Sequence, residues 1–184
     1  QPVGNYAVLN TVGTLATLSN ANLSYLSSAA APRPAYSTIG MTSGKWYFEY
    51  KLSATNCLVG VWGNGGVGMP TSAYPTYYWD IGASGAGALT LEKSSGTASG
   101  TLGSLAANDV YGIALDIDGT TIYFYKNNSL VQTVTGMTFV GELFFVVGSW
   151  SSGTSASGNA TFGQQPFTYT PPSGYKALCT TNLP

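Results

Sequence analysis

Apolar and polar residues alternate with a period of two along much of this chain. The segment 45–50 shows the pattern most clearly, because Trp46, Phe48 and Tyr50 fall on one face and the three residues between and before them fall on the other. A period of two is the signature of a β-strand. Since one face is large and aromatic, we expect it to be part of a hydrophobic core.

The segment 109–134 predicts a three-stranded antiparallel meander. Apolar, β-branched runs favour pleated strands. Two such runs flank Asp118-Gly119, which predicts a tight hairpin of type I′ because Asp and Gly adopt the required positive φ. Asn127-Asn128 predicts a second tight turn, since Asn tolerates the left-handed region.

Helical periodicity is nearly absent, and 24 glycines and 9 prolines interrupt the chain every few residues. The spacing of short strands is that of a sandwich, so we predict an all-β fold of two antiparallel sheets in one domain spanning residues 1–184. Loops are predicted at 64–75, 94–105 and 151–159, and residues 165–184 are expected to form an extended tail laid over the sandwich. Strands are predicted at 14–19, 22–27, 35–39, 45–52, 58–62, 77–81, 88–92, 110–116, 121–126, 130–135, 144–150 and 160–162.

Charged residues make up only 7% of the chain, against an average of roughly 25%. With a net charge of −1, the sequence offers no basic cluster for nucleic acid or an anionic membrane surface. No apolar run is long enough to span a bilayer, so membrane insertion is not expected. A weakly charged surface has little electrostatic protection against association, which favours a homo-oligomer or a symmetric assembly.

Catalytic and metal-binding chemistry finds little support in the sequence. Histidine is absent, which removes the commonest general base and metal ligand. Asp116 and Asp118 are the only two carboxylates that lie close together in the sequence on one face of a predicted strand. A structural role explains both, because Asp118 builds the hairpin turn and Asp116 caps the strand end or pairs with a basic residue such as Lys126. The ligand spacing of a calcium loop is missing after Asp118. We therefore expect no enzyme activity, no metal and no cofactor.

The two cysteines do not make a disulfide framework or a metal site. Cys57 lies in an apolar, strand-like context, which predicts a buried free thiol. A disulfide bond between Cys57 and Cys179 is the alternative.

Aromatic residues beside Ser, Gly and Asn are the feature that points to binding. Tyr74, Tyr77 and Tyr78 follow a Gly-rich stretch, and Trp150 precedes a Ser/Gly-rich one. This mixture is typical of adaptable recognition loops. The simpler explanation is that about half of these rings belong to the core, because strand alternation turns every second side chain inward.

Several motifs follow one another in a characteristic order along the chain. They are Gly-Lys-Trp-Tyr-Phe-Glu at 44–49, Gly-Val at 60–61, Asp-Val-Tyr-Gly-Ile-Ala-Leu-Asp at 109–116, Ile-Tyr-Phe-Tyr-Lys-Asn at 122–127, Phe-Phe-Val-Val-Gly at 144–148 and Asn-Ala-Thr-Phe-Gly at 159–163. Over roughly residues 9–167 this order resembles that of the SPRY domain. The chain departs from the family pattern at Asn127-Asn128, where the family usually has Asn-Gly.

This resemblance implies a bent, two-sheet antiparallel sandwich of the concanavalin-like kind, without general catalytic activity, that binds partners through loops at one end. The last residues, 162–184, are similar to SPRY-like domains of bacteriophage and prophage virion proteins. We therefore expect a non-enzymatic module at the virion surface, on a tail fibre, head fibre or capsid. Its expected partners are other virion proteins or a cell-surface glycan. A purely structural decoration protein is the first alternative, and a polysaccharide depolymerase is the second.

Overall fold

The computed structural model describes residues 4–27, 33–53, 57–63, 106–139, 141–149 and 155–184 with their side chains, and residues 54, 77–81, 89–93 and 96–99 as backbone strand only. Strands account for about half of these residues, and turns, bends and extended loops make up most of the rest. Within them no helix is long and apolar enough to cross a membrane.

Two sheets face each other. The strands are β1 (Thr17–Ser19), β2 (Ser24–Ser27), β3 (Ala35–Tyr36), β4 (Lys45–Ala54), β5 (Cys57–Gly63), β6 (Tyr77–Ile81), β7 (Leu89–Lys93), β8 (Gly96–Ser99), β9 (Val110–Asp116), β10 (Thr121–Lys126), β11 (Ser129–Val134), β12 (Leu143–Gly148), β13 (Ala156–Thr161) and β14 (Lys176–Ala177), followed by a 3-10 helix at Thr180–Asn182. Among the described residues, the first sheet has eight strands in the order β1-β2-β13-β4-β9-β10-β11, with β14 paired in parallel to β4, and the second has six in the order β3-β12-β5-β6-β7-β8. The other strand pairings within the described residues are antiparallel, so the predicted all-β, two-sheet sandwich is confirmed.

The core lies between the sheets and follows the alternation read from the sequence. Trp46, Phe48 and Tyr50 are all buried, as predicted. Phe48 stacks on Phe145 of the opposite sheet at 5.0 Å between ring centroids and lies 4.9 Å from Phe162. The indole N–H of Trp46 donates to a backbone carbonyl, at 2.7 Å, so its polar end is satisfied inside the core.

The meander is present, but its two turns differ from each other. Asn127 and Asn128 both have positive φ, 47° and 67°, and link Lys126 to its partner Ser129, which confirms the second turn as type I′.

The predicted two-residue turn at Asp118-Gly119 is wrong. Asp116 pairs with Thr121, so the loop has four residues, and the positive φ of 48° lies on Thr120. The physical reason is Ile117, which is buried and whose backbone N–H donates to the carbonyl of Gly44 at 3.0 Å. This hydrogen bond holds Ile117 against the loop that contains Gly44, so β9 and β10 do not pair beyond Asp116 and Thr121.

Two predicted loops contain strands. The stretch 151–159 was expected to be a loop, but β13 begins at Ala156, and β8 lies within the expected loop 94–105. The sequence of β13, Ala-Ser-Gly-Asn-Ala-Thr, has small and polar residues with low intrinsic strand preference. It is a strand because β2 and β4 pair with it from both sides.

Both cysteines are free thiols, and both are buried. Burial raises the pKa of the Cys57 thiol to about 12. The disulfide alternative between Cys57 and Cys179 is therefore not realised in this structure.

Candidate functional site

The outer face of the eight-stranded sheet is covered where a sandwich would ordinarily meet solvent. Tyr47 and Glu49 lie on the outward-facing positions of β4, yet they are only 3% and 2% exposed. Residues 165–175, which we call the crossing segment, pass over this face before β14 joins the sheet beside the start of β4. The ring of Phe167 packs edge-on against Tyr47, at 5.0 Å between centroids and an angle of 77°.

The carboxylate of Glu49 holds the crossing segment in place. One oxygen accepts a hydrogen bond from the backbone N–H of Thr168 at 2.7 Å, and the other accepts from the N–H of Tyr169 at 2.9 Å. The hydroxyl of Tyr47 donates to the second oxygen at 3.1 Å. Hydrogen bonds to an ionised acceptor are the strong ones. We call this arrangement the Glu49 latch.

The Glu49 latch places the crossing segment beside a group of tyrosines, which we call the tyrosine cluster. Tyr123 and Tyr125 project from β10, on the face opposite to the core residue Phe124. The rings of Tyr123 and Tyr175 meet edge-on, with centroids 6.3 Å apart. The members of the cluster are Tyr47, Tyr123, Tyr125, Tyr169 and Tyr175.

Tyr47 forms the floor of the tyrosine cluster, and the other four members are partly exposed. Gly112 on β9 leaves the space that Tyr47 needs, because a Cβ atom at Gly112 would lie 2.5 Å from the Tyr47 hydroxyl. The ammonium group of Lys45 lies 5.7 Å from the centre of the Tyr175 ring, a cation–π geometry, and also forms an ion pair with Asp116 at 3.1 Å.

Three members of the cluster keep a neutral hydroxyl over the physiological pH range. Burial raises the pKa of Tyr47 far above its ordinary value, and the negative charge of Glu49 raises it further. Burial, with a contribution from Asp116, also raises the pKa of Tyr175. The pKa of Tyr125 moves in the same direction for the same main reason. These three hydroxyls can therefore each donate and accept a hydrogen bond beside the aromatic faces of the cluster.

The carboxylate pair of the β9–β10 loop has a structural role. Asp116 accepts from the N–H of Gly119 at 2.8 Å and so caps the strand end, as predicted, but its basic partner is Lys45 rather than Lys126. Asp118 accepts from the N–H of Gly44 at 3.0 Å. Among the residues that the structure describes, no group of three or more His, Cys, Asp or Glu side chains could hold a metal ion.

The structure does not test the residues that the sequence predicted for recognition. Tyr74 and Trp150 lie outside the described residues. Tyr77 and Tyr78 are in β6, where their backbones pair with Val61 and Gly60 of the six-stranded sheet. Their role in binding stays a prediction.

Sequence reasoning missed the tyrosine cluster, although part of its signal is local. The alternation of Tyr123 and Tyr125 around the core residue Phe124 is visible in the sequence. The contributions of Tyr169 and Tyr175 have no such signal, because they depend on where the C-terminal segment crosses the sheet.

Comparison with solved structures identifies the fold. The SPRY domain of human HERC1 superimposes with a TM-score of 0.66 and 18% identity, covering 86% of this chain and 99% of that domain. The fold is that of a SPRY domain. The TRIM65 PSpry domain agrees, with a TM-score of 0.65 and 13% identity over 85% of this chain and 92% of the other. Stonustoxin matches with a TM-score of 0.66 and 18% identity over 85% of this chain and 27% of the toxin chain.

At these identities the likeness concerns the SPRY fold. No model of a known protein family matches the sequence. No curated protein matches it either.

Proposed function

We propose that this chain is a non-catalytic binding module at the surface of a bacteriophage virion, and that it attaches to a host-surface glycan through the tyrosine cluster. The observation that supports this most strongly is the cluster itself. Four partly exposed tyrosines combine aromatic faces, which stack on the C–H faces of sugar rings, with hydroxyl groups at their rims. Tyrosine provides such contact area at low cost in conformational entropy.

The surrounding surface agrees with a binding role. Asp116 and Lys45 neutralise each other beside the cluster, and the whole chain has a net charge of only −1. A neutral or weakly charged partner therefore meets no electrostatic barrier. The carboxylates that the sequence offered for hydrolysis, Asp116 and Asp118, both accept backbone hydrogen bonds, which favours binding over depolymerase activity.

The proposal is tested with an array of purified bacterial surface polysaccharides. The wild-type protein should bind at least one of them. The double variant Tyr123→Ala/Tyr125→Ala should bind it at least tenfold more weakly, since truncating a central aromatic anchor typically costs more than 1.4 kcal/mol. The matched control is Tyr6→Ala, which removes an exposed tyrosine outside the cluster. The proposal fails if no polysaccharide binds, or if the double variant binds like the wild type.

A second candidate function is structural decoration or assembly of the particle without a ligand. The observation that favours it is strand β11, at one edge of the eight-stranded sheet, where Leu130 and Val131 are 52% and 37% exposed. This strand carries no charged residue, and an uncharged edge strand is prone to pair with another chain.

Light scattering during size-exclusion chromatography tests the assembly candidate. Association of the wild-type chain should be lost in Leu130→Lys and retained in Val12→Lys, which places the same charge on an apolar residue that is 75% exposed elsewhere. A wild-type chain that is monomeric at high concentration contradicts assembly through this edge.

A further inference from the structure

A second surface lies on the same sheet face, on the other side of the crossing segment. It is a groove of about 280 Å³ between the β1–β2 turn, β13, β4 and the start of residues 165–184. We call it the amide groove, after Asn20, Asn159, Gln164 and Gln165 that line it. One water needs about 10–15 Å³ measured in this way, so the groove has room for a small organic ligand.

The chemistry of the amide groove is neutral and polar. Thr161 and Thr168 add hydroxyls to the four amides, and Lys51 is the one charged residue among those that the structure describes in its lining. An anionic ligand calls for several cations, and an apolar ligand calls for apolar walls. Amides and hydroxyls, which both donate and accept, match the hydroxyls of a neutral sugar.

The polar groups of the groove are partly engaged and partly available. Asn159 accepts a hydrogen bond from the hydroxyl of Ser24 at 2.6 Å, which orients its amide; among the described residues its NH₂ group has no hydrogen-bond partner. Gln164 is held at both ends, accepting from the N–H of Phe162 at 2.8 Å and donating to the carbonyl of Ala160 at 3.4 Å. The Glu49 latch fixes the backbone of Thr168 at the far wall. Walls that are ordered before binding lower the entropic cost of binding.

Backbone strain is concentrated at the rim of the groove. Asn20, Ala21 and Asn22 have φ values of 51°, 52° and 62°, three consecutive non-glycine residues in the left-handed region. The turn is closed by the N–H of Leu23, which donates to the carbonyl of Ser19 at 3.1 Å. Strain of this kind is retained mainly where the geometry it creates serves a function.

We propose that the amide groove is a binding subsite for one neutral monosaccharide unit of the attached glycan. This inference rests on the proposed glycan attachment and extends it from the tyrosine cluster to a second contact. A neutral ring seated in the groove hydrogen-bonds to Asn159 and Gln165, while the tyrosine cluster holds a neighbouring part of the chain across the crossing segment.

The test is a two-dimensional ¹H–¹⁵N NMR titration of the whole chain. The probes are the methyl α-glycosides of glucose, galactose and mannose, with glucuronic acid and N-acetylneuraminic acid as acidic comparators. At least one neutral glycoside should cause saturable shifts at the amides of Asn159, Thr161 and Gln165, with a Kd in the millimolar range. Absence of such shifts with every neutral glycoside, or tighter binding of the acids, overturns the proposal.

Two variants locate the site. Gln165→Ala removes an exposed side chain that makes no hydrogen bond to the part of the chain that the structure describes, so we expect it to leave the fold intact. Asn159→Ala removes the amide that Ser24 orients. Each should weaken glycoside binding about fivefold, as expected for one lost hydrogen bond. The matched control Gln132→Ala, on β11 and outside the groove, should bind like the wild type. Equal binding by Gln165→Ala, Asn159→Ala and the wild type overturns the proposal.

Polysaccharide binding separates this inference from the proposed function. If Tyr123→Ala/Tyr125→Ala loses polysaccharide binding while Gln165→Ala and Asn159→Ala keep full affinity, the tyrosine site stands and the subsite is refuted. If the groove variants lose binding and the tyrosine variant keeps it, the subsite stands and the cluster is refuted as the attachment surface.

Discussion

Replacing Glu49 by glutamine should release the crossing segment from the sheet. The carboxylate is 2% exposed and accepts from two backbone N–H groups and one hydroxyl. In Glu49→Gln only one oxygen remains, and the new NH₂ group must face the N–H of either Thr168 or Tyr169. One backbone donor then lacks an acceptor at a partly buried position.

The size of the effect depends on two opposing terms. An unsatisfied buried donor costs about 1–3 kcal/mol, and the remaining bonds lose the strength that the negative charge gave them. Against this, glutamine removes the cost of keeping a carboxylate out of water, a relief that in other proteins makes such replacements neutral or stabilising. Because three donors already solvate the Glu49 carboxylate, we expect the first term to dominate and the free energy of unfolding to fall by about 2 kcal/mol.

Urea unfolding followed by tryptophan fluorescence measures the stability, and a loss of about 2 kcal/mol corresponds to a Tm lower by about 4–8 °C in a domain of this size. Amide hydrogen exchange at Thr168 and Tyr169 reports on the crossing segment directly and should become faster. The control is Glu142→Gln, which makes the same chemical change on an exposed carboxylate and should stay within about 0.5 kcal/mol of the wild type. Unchanged stability together with unchanged exchange at Thr168 and Tyr169 would refute the reasoning.

Three further predictions concern the core and the strand ends. Cys57 and Cys179 are buried, so neither thiol of the native protein should react with Ellman's reagent, whereas both should react after unfolding. Rapid reaction of the native protein would contradict the burial of these thiols. Gly158→Ala should lower the free energy of unfolding by about 1–3 kcal/mol in urea, because the new methyl group would overlap the ring of Tyr50; a neutral result would mean that the ring moves freely. Burial alone would raise the pKa of Asp109, but hydrogen bonds and an ion pair at 3.4 Å outweigh it, so its pKa lies below the ordinary value. Its stabilising contribution is therefore complete above about pH 4 and is lost as the pH falls through the lowered value. Asp109→Asn should destabilise the protein at pH 7 and much less at pH 2, and an equal effect at both would exclude this ionic contribution.

Interactions between near neighbours in the sequence were predicted well. The inward positions of Trp46, Phe48 and Tyr50 follow from the geometry of a pleated strand, in which every second side chain shares a face. The turn at Asn127-Asn128 follows from the tolerance of Asn for positive φ. Both depend on a few adjacent residues, so the sequence contains all the information that decides them.

Predictions failed where distant segments compete with local preference. Ile117 is held by Gly44, more than seventy residues away, so the preference of Asp-Gly for a two-residue turn is overridden. Residues 156–161 have weak strand preference, and hydrogen bonds from β2 and β4 make them a strand.

Strand alternation and turn chemistry, both present in the sequence itself, determined that this chain is an all-β sandwich with an aromatic core. Tertiary structure alone decided that the outward residues Tyr47 and Glu49 are buried, and that Tyr169 and Tyr175 join the tyrosines of β10. The physical reason is that both results depend on the path of residues 165–175 across the sheet. Two backbone N–H groups fix that path by donating to one carboxylate about 120 residues earlier in the chain. Because every residue except proline carries the same backbone N–H, no pattern of residue types predicts this contact.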